Sequence, residues 1–543
     1  MRSNKYSAPC VACRATVPAG EGVLERVSGR WEVRHAVCGE TPDPVGLKPQ
    51  WEPTSEQRQA LSLFDLGADL VIEAGAGTGK TSTLRLLADA DPKAKIQYIA
   101  FNRAIVDEAK TKFPANVSAN TAHSLAYAAV GRKFQHRLSN SVRQSSREVA
   151  RFLEIESLEV GVPVEGGEPG QVEGKLLSTE FLASLALDTV RRFCHSADPE
   201  ITSRHVPYIE GIDTPANGER TWSNNRVVAD LIVPSAVAAW DDLQRPDGTL
   251  RFLHDHYLKI WQLSGPRINA DVILFDEGQD ANPVIAAVVA AQDHAQIVHV
   301  GDSQQAIYEF TGAINTLSMI DIEHRAYLTQ SFRFGPQIAE VANRVLSRLD
   351  ADLRLTGTPS IESTVAELDR PDALLCRTNA AAVEAVIRAK EDGLRAHLVG
   401  GGQEVTSFAA AARSLQAGQR TTHQELACFT SWADVQTYVA NDRQGSDLKL
   451  LVSLVDRFGA GGIITALECQ PSEANADLVV STAHKAKGRE WDAVKIAGDF
   501  PSGDPEQENA IPVTDAELRL LYVACTRARL SLDISNVELF HRL

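Results

Sequence analysis

At 543 residues and about 150 residues per domain, the chain has room for three or four domains, with cores that need no disulfides. A hydrophobic fraction of 44%, a charged fraction of 23% and no apolar run near ~18 residues exclude a disordered or membrane-spanning chain. The net charge of −17 excludes a protein coated in basic surface, yet leaves room for a local groove that binds nucleic acid.

The polar start lacks a signal-type segment, and eight cysteines in this length make no disulfide framework, so a reducing, cytoplasmic setting is expected, without secretion. Cys10-x2-Cys13 and, 21 residues on, His35-x2-Cys38 form a four-ligand set of zinc type. Between them Val23-Leu24-Glu25-Arg26-Val27 and Trp31-Glu32-Val33 alternate around Ser28-Gly29. This predicts a β-hairpin and a zinc-ribbon-like module over 1–39, stabilised by its metal. A chance cluster of reduced thiols is the plainer alternative. The module's partner, DNA or a protein, is left open. Residues 40–53 carry Pro42, Pro44, Pro49 and Pro53 and read as a stiff linker.

Next, Leu70-Val71-Ile72-Glu73 runs into Ala74-Gly75-Ala76-Gly77-Thr78-Gly79-Lys80-Thr81 and then a helical pattern. Strand, glycine-rich loop and helix at this spacing predict a phosphate-binding loop. Its N–H groups would surround phosphate oxygens at a helix N-terminus, with Lys80 on the β- and γ-phosphates and Thr81 on Mg2+. Further strands are expected at 96–101, 272–275 and 297–300, which makes a parallel α/β sheet. Asp276-Glu277 closes the third strand. Paired with the phosphate loop, it suits Asp276 on the metal and Glu277 as base for the attacking water.

Between the second and third strands, 139–158 reads as helix and 160–174 as a glycine-, glutamate- and proline-rich loop, together an inserted subdomain. A second α/β series starts near Leu328, with strands at 373–376, 396–399, 478–481 and 493–496, and 407–473 interrupts it. Two α/β halves clamping one nucleotide would let arginines of the second complete the site.

At this point the chain resembles superfamily 1 DNA helicases of the UvrD/Rep type, and their F-box helicase branch in particular, over roughly 53–401 and 478–530. The resemblance implies two RecA-like motor domains, 54–130 with 241–325 and 326–406 with 474–543. Mainly helical insertions at 131–240 and 407–473 would accompany them. In Thr54-Ser55-Glu56-Gln57-Arg58, Gln57 matches the reader of the adenine edge. Ala100-Phe101-Asn102-Arg103-Ala104 and Thr121-Ala122-His123-Ser124 resemble DNA-contact motifs, implicating Phe101, Asn102, Thr121 and His123. His254-Asp255-His256-Tyr257-Leu258-Lys259 is similar to a segment of that branch just ahead of Asp276-Glu277-Gly278-Gln279-Asp280.

In Gly301-Asp302-Ser303-Gln304-Gln305-Ala306-Ile307-Tyr308-Glu309-Phe310, Gln305 would sense the γ-phosphate while Tyr308 and Phe310 stack on bases. Gln330-Ser331-Phe332-Arg333 would supply Phe332 against adenine and Arg333 as the first arginine finger. Thr482-Ala483-His484-Lys485-Ala486-Lys487-Gly488-Arg489-Glu490 would bring Thr482 and His484 to DNA and Glu490 to the ribose. Tyr522-Val523-Ala524-Cys525-Thr526-Arg527-Ala528 would supply Arg527 as the second finger. Core packing is the plainer reading of Phe101, Tyr308 and Phe310.

The implied activity is ATP- and Mg2+-dependent movement on single-stranded DNA, 3′ to 5′, unwinding duplex or displacing bound protein, with single-strand/duplex junctions as partners. Phe310-Thr311 stands where the family usually has Trp-Arg, the second insertion is short, and the chain stops 16 residues after Arg527. Translocation is therefore expected ahead of vigorous unwinding. From another class, a nucleotide-gated DNA clamp or recruitment factor with weak hydrolysis fits the same binding residues.

Overall fold

The computed structural model describes residues 2–3, 8–10, 16–20, 22–27, 30–35, 52–139, 144–163, 172–209, 212–213, 215–216, 219–220, 223–308, 313–421, 423, 426, 429–441, 446–502 and 513–541. The chain divides into two compact units, Met1–Thr54 and Ser55–Leu543.

In the small unit, Gly22–Val27 and Arg30–His35 pair antiparallel, with Val27 opposite Arg30 and Gly22 opposite His35. That is the register a hairpin at 28–29 requires. Arg2–Ser3 adds a strand beside Leu24 and Val23, and Ala8–Pro9 pairs with Thr16–Val17. Cys10 directly follows Ala8–Pro9 and is buried, as is Val17. Cys13, Cys38 and nearly all of the expected linker lie outside the described residues. His35 ends the second hairpin strand.

The large unit holds two six-stranded parallel sheets. The first comprises β1 (Leu70–Ala74), β2 (Ile96–Ala100), β3 (Val117–Thr121), β4 (Val272–Phe275), β5 (Gln296–Gly301) and β6 (His324–Leu328), in the order β6-β1-β5-β4-β2-β3. β1, β2 and β4 are near-continuous apolar runs because helices cover both faces. One face packs on Phe64, Leu84, Leu87 and Val106, the other on Ala126, Leu258, Val284 and Val288. The order places the carboxyl ends of β1, β5 and β4 side by side, where open α/β sheets bind ligands.

The expected domain change at 325–326 falls inside β6, which pairs with β1 from His324 opposite Leu70 to Leu328 opposite Ala74. The first sheet therefore runs to Leu328. In the first insertion the structure also corrects the sequence reading. The stretch 139–158 is helical only in part, with Ser146–Phe152 between a Ser145/Glu148 capping box and Leu153. The described parts of the expected loop at 160–174, 160–163 and 172–174, lie in two antiparallel strands, Leu158–Pro163 paired with Val172–Leu177. Val160 and Val162 alternate with Glu159 and Gly161, a period-2 pattern outweighed in the reading by the surrounding glycine and proline. Val160 and Leu177 join a small core with Leu182, Leu185, Val228 and Ile232 of the helices Thr179–Cys194 and Ser223–Leu243.

The second sheet comprises β7 (Thr364–Val365), β8 (Ala373–Cys376), β9 (Ala396–Leu398), β10 (Leu478–Thr482), β11 (Trp491–Ile496) and β12 (Ala528–Asp533), in the order β7-β12-β11-β8-β10-β9. Helices Pro336–Arg348 and Asp515–Cys525 share one core with it. Asn379–Glu391 and the helices of the second insertion share another. That insertion begins with Gln403–Gln416, so the expected start at 407 lies inside a helix. The chain crosses from the first sheet to the second half once, between Leu328 and Pro336. No single described helix is long and apolar enough to cross a membrane.

Candidate functional site

The loop from β1 to the helix Lys80–Ala90 turns through Gly77 (φ 73°) and Gly79 (φ 81°), left-handed conformations that glycine takes without strain. A Cβ on Gly77 would stand 2.6 Å from Arg333 Cβ and 2.7 Å from Ser331 Oγ, so glycine lets the two halves close here. The Phe332 N–H donates to Gly77 O at 2.8 Å. Gly75, Ala76 and Thr78 complete the loop, and Thr78 Oγ1 donates to Gly75 O at 2.9 Å. Thr81 stands in the first helical turn beside Lys80.

Across the loop, Lys80 Nζ pairs with Glu277 Oε1 at 2.8 Å, and Gln279 Nε2 donates to the other Glu277 oxygen. Glu277 sits at φ 56°, a left-handed conformation rare for a residue with a side chain. Asp276 accepts the Tyr98 hydroxyl and, at 2.9 Å, the Glu277 N–H. Burial and the Glu277 charge push the Asp276 carboxyl up. Burial acts the same way on Glu277, but Lys80 and Lys487 outweigh it and hold that carboxyl low. Neighbouring carboxylates driven apart in this way suit a division of labour. The hard oxygen donors of Asp276 and Thr81 fit Mg2+.

At the end of β5, Asp302 accepts from Gln305 Nε2 at 2.7 Å and from the Tyr522 hydroxyl at 3.0 Å. The Tyr522 hydroxyl also accepts the Ala76 N–H at 3.2 Å, tying the second half to the phosphate loop. Arg527, 2% exposed, reaches Gln305 Oε1 at 3.4 Å and Thr526 Oγ1 at 3.0 Å. Burial and the nearby Arg333 pull its pKa down to about 9. Arg333 donates to Thr526 O at 3.0 Å and pairs with Glu490 at 2.8 Å, so Glu490 here holds the arginine. Two guanidiniums crowded beside a phosphate loop favour an incoming anion. Gln57 is buried with Nε2 donating to Thr83 Oγ1 at 3.1 Å, while Phe332 is 47% exposed. The Cβ position of Gly79 lies 3.5 Å from Gln57 Nε2 and 3.6 Å from the Phe332 ring, so both flank one slot.

The aromatic candidates also gather. Phe101, 55% exposed, lies parallel to Tyr308 with centroids 6.1 Å apart. The Tyr308 hydroxyl donates to His484 O at 3.2 Å, and the two rings stand 6.5 Å apart. Tyr308 is half-buried against the core that the second sheet shares with Pro336–Arg348 and Asp515–Cys525, and Phe310 lies outside the described residues. Lys487 of the second half donates to Asp280 and, at 2.6 Å, to Gln305 O, and its Nζ lies 5.4 Å from the Tyr308 ring.

Three expected DNA contacts use their side chains as helix caps. Asn102 accepts from Ile105 N at 3.0 Å, Thr121 from Ser124 N at 3.1 Å and Thr482 from Lys485 N at 3.4 Å. Thr121-Ala122-His123 and Thr482-Ala483-His484 each stand at a strand-to-helix corner, one in each half. His123 faces Asp255 at 3.6 Å and meets Tyr257 edge-on. Sequence reasoning assigned nothing to Tyr98, Tyr522 or Lys487, although the last two lie inside quoted motifs. Among the described residues no three His, Cys, Asp or Glu side chains stand together as a metal site. Two members of the zinc set lie outside them.

Residues 57–311 match the family described as "AAA domain", and 403–538 match "UvrD-like helicase C-terminal domain". The chain is 29% identical over 524 residues to "F-box DNA helicase protein 1" of Schizosaccharomyces pombe, covering 89% of this chain and 57% of that protein. It is 29% identical to "F-box DNA helicase 1" of Gallus gallus over 89% of this chain and 49% of that one. It is 27% identical to "ATP-dependent DNA helicase UvrD2" of Mycobacterium tuberculosis over 48% of this chain and 46% of that one. It thus spans about half the length of these relatives.

Proposed function

We propose, from its similarity to UvrD-like helicases, that the chain is an ATP-dependent DNA motor of that family. It would move 3′ to 5′ on single-stranded DNA and use that movement to open duplex or displace bound protein. The observation that carries this reading is the convergence of Arg333 and Arg527, from the second half, on the phosphate loop of the first, with Gln305 bonded to Arg527 at 3.4 Å. Gln57 and Phe332 hold the adenine, and the loop N–H groups of Gly75–Gly79 with Lys80 hold the phosphates. Mg2+, held by Thr81 and Asp276, would neutralise phosphate charge. Glu277 takes the proton of the attacking water, and the two arginines stabilise the charge that develops on the phosphoryl group. Gln305 passes the change in phosphate occupancy to Tyr308 two residues beyond its neighbour. Tyr308, Phe101 and His484 hold unpaired bases, which stack without regard to sequence.

Steady-state ATP hydrolysis with and without single-stranded DNA tests the motor. Stimulation of tenfold or more is expected. Unstimulated, slow hydrolysis with tight DNA binding would establish a clamp instead.

The small unit is proposed to hold one zinc ion through Cys10, Cys13, His35 and Cys38. The burial of Cys10 at the end of a strand, beside a hairpin of the expected register, supports this. Metal analysis of the purified chain is expected to find about one zinc per chain, lost in the Cys10→Ser variant. A folded, metal-free preparation would refute it.

A further inference from the structure

The segment His254-Asp255-His256-Tyr257-Leu258-Lys259 opens the helix His254–Leu263, just ahead of β4. Asp255, Lys259 and Gln262 follow one another at i, i+4 and i+7, and so stand in a row on one face of that helix. All three meet the same short stretch of the first insertion, 195–198, where the helix Thr179–Cys194 ends. Asp255 accepts from His195 Nε2 at 3.2 Å. Lys259 Nζ donates to Ser196 O at 2.8 Å and to Asp198 O at 2.6 Å, and Gln262 Nε2 donates to Ala197 O at 3.4 Å. The row is a grip by which the first half holds its insertion.

Within that grip Lys259 and Asp255 stand in opposite settings. Lys259 is buried, its third donor goes to Gln262 Oε1 at 2.8 Å, and its Nζ lies 4.3 Å from the centre of the Phe193 ring. An ammonium enclosed in this way does not reach a DNA phosphate, so the one cation of the segment is structural. The stretch it holds is braced in turn, with His205 Nε2 2.9 Å from Asp198 and His205 Nδ1 accepting the Thr202 N–H at 3.0 Å. The Asp255 side chain is 37% exposed, and its second oxygen turns to the first half, where His123 Nε2 lies 3.6 Å away. Hydrogen bonding to the two imidazoles holds the Asp255 carboxyl well below the usual carboxylate range, so it remains an acceptor for both. Tyr257 meets the His123 ring edge-on at 6.2 Å, and the Tyr257 hydroxyl is itself bonded to His254 Nδ1 at 3.1 Å. The His123 imidazole is thereby held from two sides by the segment. With Nε2 turned to the carboxylate, Nδ1 is the ring nitrogen left for a ligand.

We infer that Asp255 is a positioning residue for DNA: one oxygen turns the His123 imidazole so that Nδ1 meets a phosphate of the bound strand, and the other, on His195, fixes that imidazole and the first insertion in one frame. The inference rests on the motor reading given above and on His123 as one of its strand contacts. It adds the residue that aims that contact and gives the segment ahead of β4 its task. Lys259 and Gln262 set the insertion, and Asp255 makes the strand contact depend on it.

The test is a double-mutant cycle on the nucleotide-free full chain, with a labelled oligothymidylate titrated by fluorescence anisotropy. Asp255→Ala and His123→Ala should each weaken binding about fivefold, the size of one polar contact. The double variant should lose no more than either, because Asp255 acts through His123. Both side chains are partly exposed, so thermal midpoints should stay at the parent's value; if Asp255→Ala loses its transition, Asp255→Ser takes its place in the cycle. Asp255→Asn keeps the shape and can still bond both rings, and should restore most of the affinity. A single variant that binds as the parent does, losses that multiply in the double variant, or an Asp255→Asn as weak as Asp255→Ala would each overturn the inference and leave the motor reading standing. A parent chain that binds no oligothymidylate would bring both down.

Discussion

Glu277 is held between Lys80 and Gln279 in a backbone conformation that costs of order 1–3 kcal/mol. That cost is consistent with a carboxylate aimed at a reacting water. Replacing Glu277 with Gln keeps the shape and removes the base, so hydrolysis is expected to fall about 10²- to 10⁴-fold while nucleotide stays bound. Lys80→Ala removes a cation from the phosphates and leaves Glu277 without its partner. It should weaken nucleotide binding as well as hydrolysis. Fluorescent-nucleotide titration beside single-turnover hydrolysis separates the two, and equal nucleotide affinity in both variants would contradict the division of roles. That the loop glycines, Lys80 and the Asp276-Glu277 pair stand together was legible in the sequence because each lies at one strand end. Tyr98 meets Asp276 across 178 positions and Tyr522 meets Ala76 across 446. Nothing near either tyrosine in the chain announces that contact.

Among the elements, eight of the twelve strands of the two sheets were read to within two residues, since buried parallel strands leave short apolar runs ended by turn residues, whereas Val117–Thr121, His324–Leu328, Thr364–Val365 and Ala528–Asp533 were not named. The hairpin of the first insertion was missed because its glycine-rich connection dominated the composition of its window. Thr121 and Thr482 show a different limit. Their positions were identified, but the capping bonds that occupy their side chains depend on the strand-to-helix corner itself. Lys487 lies on the segment after β10 and ties the second half to Asp280 and Gln305 of the first. Its side chain is 12% exposed and that of Asp280 2%. Lys487→Met leaves a buried carboxylate unpaired, which costs about 3 kcal/mol, and frees Tyr308 of its cation. The thermal midpoint should drop, and the ratio of DNA-stimulated to basal hydrolysis should fall several-fold. Adding Asp280→Asn should recover the midpoint but not the ratio. Recovery of both would reduce Lys487 to a purely structural tie.

Across the whole molecule, acid should loosen the first sheet domain through two buried imidazoles. Burial holds His256 and His299 neutral, with pKa values lowered to about 4 for each. The unfolded chain protonates them near pH ~6.5, so between these values it binds more protons than the folded one. Their contribution is full above pH ~6.5 and is lost as pH falls toward 4. His299 Nδ1 has no partner among the described residues, so Leu at this position should fold and should flatten the acid limb of a pH series of thermal midpoints. An unchanged limb would place the acid sensitivity elsewhere.

The single passage between the halves leaves β6 at Leu328 and reaches Phe332 and Arg333 within the nucleotide site, where the Phe332 N–H is bonded to Gly77 O at 2.8 Å. Under the proposed reading, a nucleotide that presses on Gly77 would act on the very residues where the chain passes from one half to the other. Fuel and hinge would then share one set of atoms, so a change that stiffens this passage is expected to alter nucleotide turnover and the relative movement of the halves together.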